Sequence, residues 1–187
     1  LEDMYERREL NGADYFSTLD AIFMHRPFRR MPENALGMAY LSNLGDGNEN
    51  DRKQLAEYCE LAEVDLHEVL AEMKNRPQLA TFGVREKIRD DALPLLTKVH
   101  RRARRSDTYR DAVQQKMQLG SVPMEELGNL YTGALPAWLG AGLEQAAKTG
   151  VSIAEEILLI GYGSGDAAEA IPIHLVQGWK TQRSEST

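Results

Sequence analysis

The run Ile157-Leu158-Leu159-Ile160 limits the fold more than any other feature of this chain. Four consecutive apolar residues leave no polar side for water, so the segment suits a strand covered on both faces. A second short apolar run, Leu19 to Met24, also reads as a buried strand, and Ala170 to Val176 has the apolar content of a final one. Helical segments accompany these strands at both ends of the sequence. Strand, helix, strand order of this kind points to the α/β class, with helices layered on a sheet.

The middle of the chain has a different character. Residues 51 to about 116 read as helical throughout, with Leu55, Tyr58, Cys59 and Ala62, then Leu66, Val69, Leu70 and Met73, recurring at helical spacing. Asp65 followed by Glu68 predicts a helix start. Pro77 and Pro94 break the run into pieces. Pro32 suits the first turn of an earlier helix ending near Leu44, and residues 45–50 are turn-rich. The expected organisation is therefore an α/β domain from residues 1–44 and 117–180, a helical insertion at 45–116, and a polar tail at 181–187.

Composition narrows the function classes. The net charge of -7 argues against a general nucleic-acid binder, which needs many cations to neutralise phosphates. Cys59 is the only cysteine, so no internal disulfide can form, and nothing points to secretion. No apolar run approaches the roughly 20 residues that span a bilayer. A cytoplasmic protein with no membrane partner is the expectation. The absence of an initial Met hints at a fragment.

Three segments carry candidate chemistry. The first is His25-Arg26-Pro27-Phe28-Arg29-Arg30-Met31. A histidine at a strand end can transfer protons near neutrality. Pro27 restricts the backbone behind it, and Arg29 and Arg30 can meet phosphates. The same residues also fit a structural histidine with solvated arginines. The second segment is Gly128-Asn129-Leu130-Tyr131-Thr132-Gly133. The Asn129 amide can hold a carbonyl or a water, or simply cap the helix that follows. The third is Tyr162-Gly163-Ser164-Gly165-Asp166, a glycine-flanked serine that can offer backbone N–H groups to an oxyanion or phosphate. His67, His100 and His174 make no metal-binding spacing, so no metal is expected. Cys59 falls on an apolar stripe and reads as a packed thiol.

Taken in order, the three segments resemble the hydroxymethylglutaryl-CoA synthase family. That family reads Phe-His-x-Pro-Phe/Tyr-x-Lys, then Gly-Asn-x-Tyr-Thr-Gly/Ser, then Ser-Tyr-Gly-Ser-Gly. The ending Leu175-Val176-Gln177-Gly178-Trp179-Lys180 is similar to the tail of bacterial members. The similarity covers residues 15–40 and 123–180. It implies a thiolase-like fold and the condensation of acetyl-CoA with acetoacetyl-CoA. It further implies that His25 assists the acetoacetyl carbonyl as an acid, that Asn129 orients the acyl groups, and that Ser164 belongs to the oxyanion loop with Gly163 and Gly165. Pro27, Arg29, Arg30 and Tyr131 would contact substrate or coenzyme A. Arg30 stands where the family has lysine, replacing a point charge with a planar fork.

The resemblance implies no cofactor beyond the coenzyme A thioesters that serve as substrates, with acyl-carrier substrates as the other possibility. The family's nucleophilic cysteine and its glutamate base are expected upstream, in an N-terminal half that would be an obligatory partner, and the fragment alone is expected to be inactive. A homo-oligomer is expected because half of such a fold exposes an apolar sheet face. The rival readings are another thiolase-superfamily condensing enzyme, either a ketoacyl synthase of the third type or a polyketide β-branching synthase, and a non-catalytic binding module. The ketoacyl synthase pattern His-Gln-Ala-Asn differs from His25-Arg26-Pro27-Phe28.

Overall fold

The computed structural model describes residues 11–26, 30–75, 92–127, 130–153, 156–162 and 168–180. The protein is mixed α/β, mainly helical with a small sheet of three strands among the described residues. The chain divides into two compact units. One comprises residues 15–35 and 111–187, the other residues 2–14 and 36–110. The sequence-predicted insertion, 45–116, falls mostly in the second. No helix among the described residues is long and apolar enough to cross a membrane.

The first unit holds the sheet. Strand β1 (Leu19–Met24) pairs in parallel with β2 (Glu156–Tyr162), and β2 pairs antiparallel with β3 (Ala168–Ile173). β1 is the strand expected from its apolar run: every residue but Asp20 is buried. Ile157 and Leu158 are fully buried, whereas Leu159 and Ile160 are only half-buried, so cover on both faces is complete only for the first part of the run. β3 begins two residues earlier than expected and stops at Ile173. It is the most exposed strand, with Ile171 45% exposed.

The long helix of this unit (Ala134–Thr149, labelled α7 below) packs on the sheet through small residues. Trp138 meets Phe23 edge-on, with ring centroids 5.8 Å apart and planes at 89°. Gly142 lies where a Cβ would come within 2.5 Å of the Phe23 ring, so glycine there sets how closely the helix can approach β1. The preceding turn is fixed to the same helix. Trp138 Nε1 donates to the Leu119 carbonyl at 2.8 Å, and Gly120 N donates to Gln145 Oε1 at 2.7 Å. Gly120 has φ +68 and abuts the Gly142 backbone, a placement that excludes a side chain.

Near the start of β2, Glu156 is buried yet fully engaged. Tyr15 OH donates to its Oε1 at 2.5 Å, and His174 Nε2 lies 3.1 Å from Oε2. A buried carboxylate needs such partners. Lys116 is treated likewise: its Nζ donates to the Leu19 carbonyl at 2.6 Å. Burial depresses its pKa, partly opposed by Asp20.

The second unit is helical among its described residues. Most of α2 (Arg30–Asp46) belongs to it, followed by α3 (Glu49–Ala62), α4 (Leu66–Lys74) and α5 (Pro94–Ala103); α1 (Gly12–Thr18) precedes β1, and α6 (Ser121–Leu127) lies in the first unit. Helix α2 runs through the expected loop start at Gly45, and Pro32 sits in its first turn as predicted. Asn48 and Asp51 form a reciprocal capping box for α3. Asp65 caps α4 by accepting from Glu68 N at 3.0 Å. Leu93 supplies no side-chain cap to α5, and Glu72 of α4 does so instead, its two oxygens accepting from Leu95 N and Leu96 N at 2.9 Å.

The core of this unit holds a neutral polar pair in His100 and Tyr109. His100 Nε2 and Tyr109 OH are 2.9 Å apart and buried. Gly37 faces both, and a Cβ there would collide with them. Burial, then the Arg104 cation, pushes the His100 pKa below its ordinary value.

Two outcomes follow. Gly142→Ala should lower stability by about 1–3 kcal/mol through the clash with Phe23, measured by urea unfolding. His100 enters the fold neutral, while the unfolded chain protonates it near pH 6.5. Its contribution is therefore full above about pH 6.5 and is lost as pH falls through the lower folded value. Urea midpoints across this range should fall with acidification in the wild type, and His100→Gln should flatten that slope.

Candidate functional site

The carboxyl ends of β1 and β2 bring His25, from the first sequence-predicted segment, beside the end of β2 at Ile160 and Gly161. His25 follows β1 directly, and its backbone N donates to the Ile160 carbonyl at 2.8 Å. Parallel pairing continues to Met24 opposite Ile160. The chain therefore leaves β1 at His25 and nears the end of β2 at Gly161 on the same end of the sheet. The His25 side chain is half-buried there.

The helix that follows the second segment reaches this end too. Residues Tyr131–Gly133 form a tight turn that leads straight into α7. Leu135, in its first turn, has a methyl 3.8 Å from where a Cβ on Gly161 would stand. Trp138, one turn on, carries the Arg26 guanidinium over its ring at 5.1 Å from the centroid. The N-terminal part of α7 thus lies beside the carboxyl ends of both parallel strands, the position where α/β folds place ligands.

Tyr131 is 74% exposed and has φ +51, a left-handed conformation that is unusual for an aromatic residue. Arg30 opens α2 with its side chain in solvent. Pro27, Arg29, Asn129, Gly163, Ser164 and Gly165 lie outside the described residues.

Sequence reasoning missed the role of Arg26. Its neighbours drew attention as candidate ligands, but Arg26 is the buried cation, only 6% exposed. Its Nη2 lies 3.9 Å from Glu125 Oε1, and Trp138 covers its face. Only the position of an arginine immediately beyond an apolar strand could have flagged it. A cleft of about 220 Å³ opens over Arg26 and Trp138 and is edged by Glu33, Gln118, Ser121 and Glu125. His25, Arg30 and Tyr131 are not among the residues that line it.

The Tyr15–Glu156–His174 array was also not anticipated. An acidic residue opening an apolar strand is its sequence signal. It sits at the start of β2, away from His25 at the other end of the parallel pair.

Cys59 is buried, and desolvation, helped by Asp65, pushes its thiol up to about 11. Such a thiol stays protonated at neutral pH and is a poor nucleophile. Among the described residues no group of three or more His, Cys, Asp or Glu side chains is arranged to hold a metal. Neither protein-family models nor curated proteins match this chain.

Arg26→Ala should cost about 1–3 kcal/mol by removing the guanidinium from the Trp138 face and leaving a void beside it. Urea unfolding measures the loss, and the Trp138 environment gives an independent fluorescence shift.

Proposed function

We propose that this chain is the C-terminal part of a hydroxymethylglutaryl-CoA synthase with a thiolase-like fold. In this reading a cysteine and a glutamate supplied by a preceding segment complete the active site. The observation that carries the proposal is the meeting of His25 and Gly161 at the carboxyl ends of neighbouring parallel strands, with the first turn of α7 against Gly161. The three motifs that resemble the family are scattered along the sequence, and an acyl site requires their flanking elements to gather in this way.

The chemistry follows from the residue types. The upstream cysteine thiolate takes the acetyl group from acetyl-CoA as a thioester, and coenzyme A leaves as the thiol. The glutamate removes a proton from its methyl, and the resulting carbon nucleophile adds to the ketone carbonyl of acetoacetyl-CoA. Negative charge then develops on that oxygen, and the His25 imidazole delivers the proton that neutralises it. Water cleaves the enzyme thioester and releases the product. Asn129 and the Gly163–Gly165 loop take the orienting and oxyanion roles. Arg30 faces solvent at the start of α2, where its guanidinium can meet a coenzyme A phosphate.

The left-handed backbone at Tyr131 supports the reading independently. Strained non-glycine backbone concentrates at binding and catalytic sites, where the surrounding structure holds it.

The test uses the full gene product. Assayed with acetyl-CoA and acetoacetyl-CoA, it should form hydroxymethylglutaryl-CoA. His25→Ala should reduce condensation about 10²–10⁴-fold while leaving acetylation of the enzyme largely intact. A gene product with no cysteine and glutamate ahead of Leu1, or a variant that loses acetylation but still condenses once acetylated, overturns the proposal.

A further inference from the structure

The outer face of α5 carries a charge pattern that no acidic side chain among the described residues neutralises. Leu96, Val99, His100 and Ala103 form its buried side. Lys98, Arg101 and Arg102 lie on the opposite side, and Arg105 continues the line in the turn that follows. At about 100° per residue Lys98, Arg101 and Arg102 share one side of the helix, and Arg105 follows two residues past its end. All four are exposed.

No acidic residue occurs between Ala92 and Ser106. The side chains of Arg101, Arg102 and Arg105 make no ion pair among the described residues. Lys98 Nζ reaches only a backbone carbonyl, that of Glu63, at 3.2 Å. Like charges three and four residues apart destabilise a helix. The negative end of the helix favours cations in its last turn, which accounts for Arg101 and Arg102 singly. It does not account for Lys98, which sits mid-helix, in a chain whose net charge is -7.

We infer that this stripe is a docking surface for an acidic helix of a partner protein. Carboxylates at i, i+3, i+4 and i+7 on a facing helix repeat at the same pitch as these cations, and each can pair with one. Two other anionic partners fit less well. The described aromatic residues of this unit, Tyr40, Tyr58 and Tyr109, are buried, so none is presented for stacking on nucleic-acid bases. No large apolar side chain of α5 is exposed for insertion into a lipid surface. This surface lies wholly within the second unit and stands independently of the acyl-site proposal.

The test is a titration of the isotope-labelled full chain with a synthetic Ala-rich helical peptide bearing Glu at i, i+3, i+4 and i+7, followed by NMR. Shift changes should cluster at residues 98–105 and weaken as salt rises from about 50 to 500 mM. R101E/R102E should weaken binding about tenfold or more. The milder R101Q/R102Q should weaken it less, and neither variant should lower the urea midpoint. Three results overturn the inference: unchanged peptide binding in R101E/R102E, tighter binding of wild type to duplex DNA or phosphatidylserine vesicles than to the peptide, or lowered stability in both variants, which makes the stripe structural.

Discussion

Parallel pairing of β1 with β2 joins segments from opposite ends of the sequence, and the rest of the first unit is arranged around that contact. Tyr15 reaches Glu156 across 141 residues of chain, and Lys116 ties the Leu19 carbonyl into the same layer. Helix α7 can lie on the pair only because Gly142 leaves room for the Phe23 ring. Trp138 then serves three neighbours at once: its edge contact with Phe23, its N–H to Leu119, and its face under Arg26. With the helix seated this way, its first turn comes to the strand ends that carry His25 and Gly161. The proposed acyl chemistry depends on this packing as much as on the reactive groups.

The second unit meets a different problem. Its core includes hydroxyl and imidazole groups that must be desolvated without charge. His100 and Tyr109 satisfy one another, and Gly37 is small enough to admit both. Burial raises the pKa of Tyr40 and Tyr58, so both remain neutral phenols. Helix ends are supplied locally by Asn48 and Asp65, and in α5 by a carboxylate from a neighbouring helix. That last device adds a tertiary tie between α4 and α5 to the helix cap.

Local patterns made much of this legible in the sequence. The apolar run at Leu19–Met24 and the cap at Asp65 each depend on neighbours in sequence, and each is found where expected. The half-exposure of Leu159 and Ile160 was not legible, because apolar content alone does not report whether a covering layer reaches the whole strand. Arg26 and Glu156 were missed for a related reason. A charged residue is buried only when distant partners satisfy it, and Trp138, Tyr15 and His174 are distant in sequence. Of the candidate site, the residue types and the strand-end position of His25 could be read in advance. Its adjacency to Gly161 rests on strand register, which no local pattern encodes.

The separation of β1 from its partner also bears on how the protein is made. Ribosomes add about 5–20 residues per second, so Leu19–Met24 emerges on the order of ten seconds before Glu156–Tyr162 is available to pair with it. Throughout that interval an apolar ribbon with unsatisfied backbone groups is open to aggregation or to capture by chaperones. The intervening helices, rich in local contacts, can form while the ribbon waits. Yield in the cell is thus tied to the delay between two short segments, and slower translation of the intervening stretch lengthens the vulnerable period.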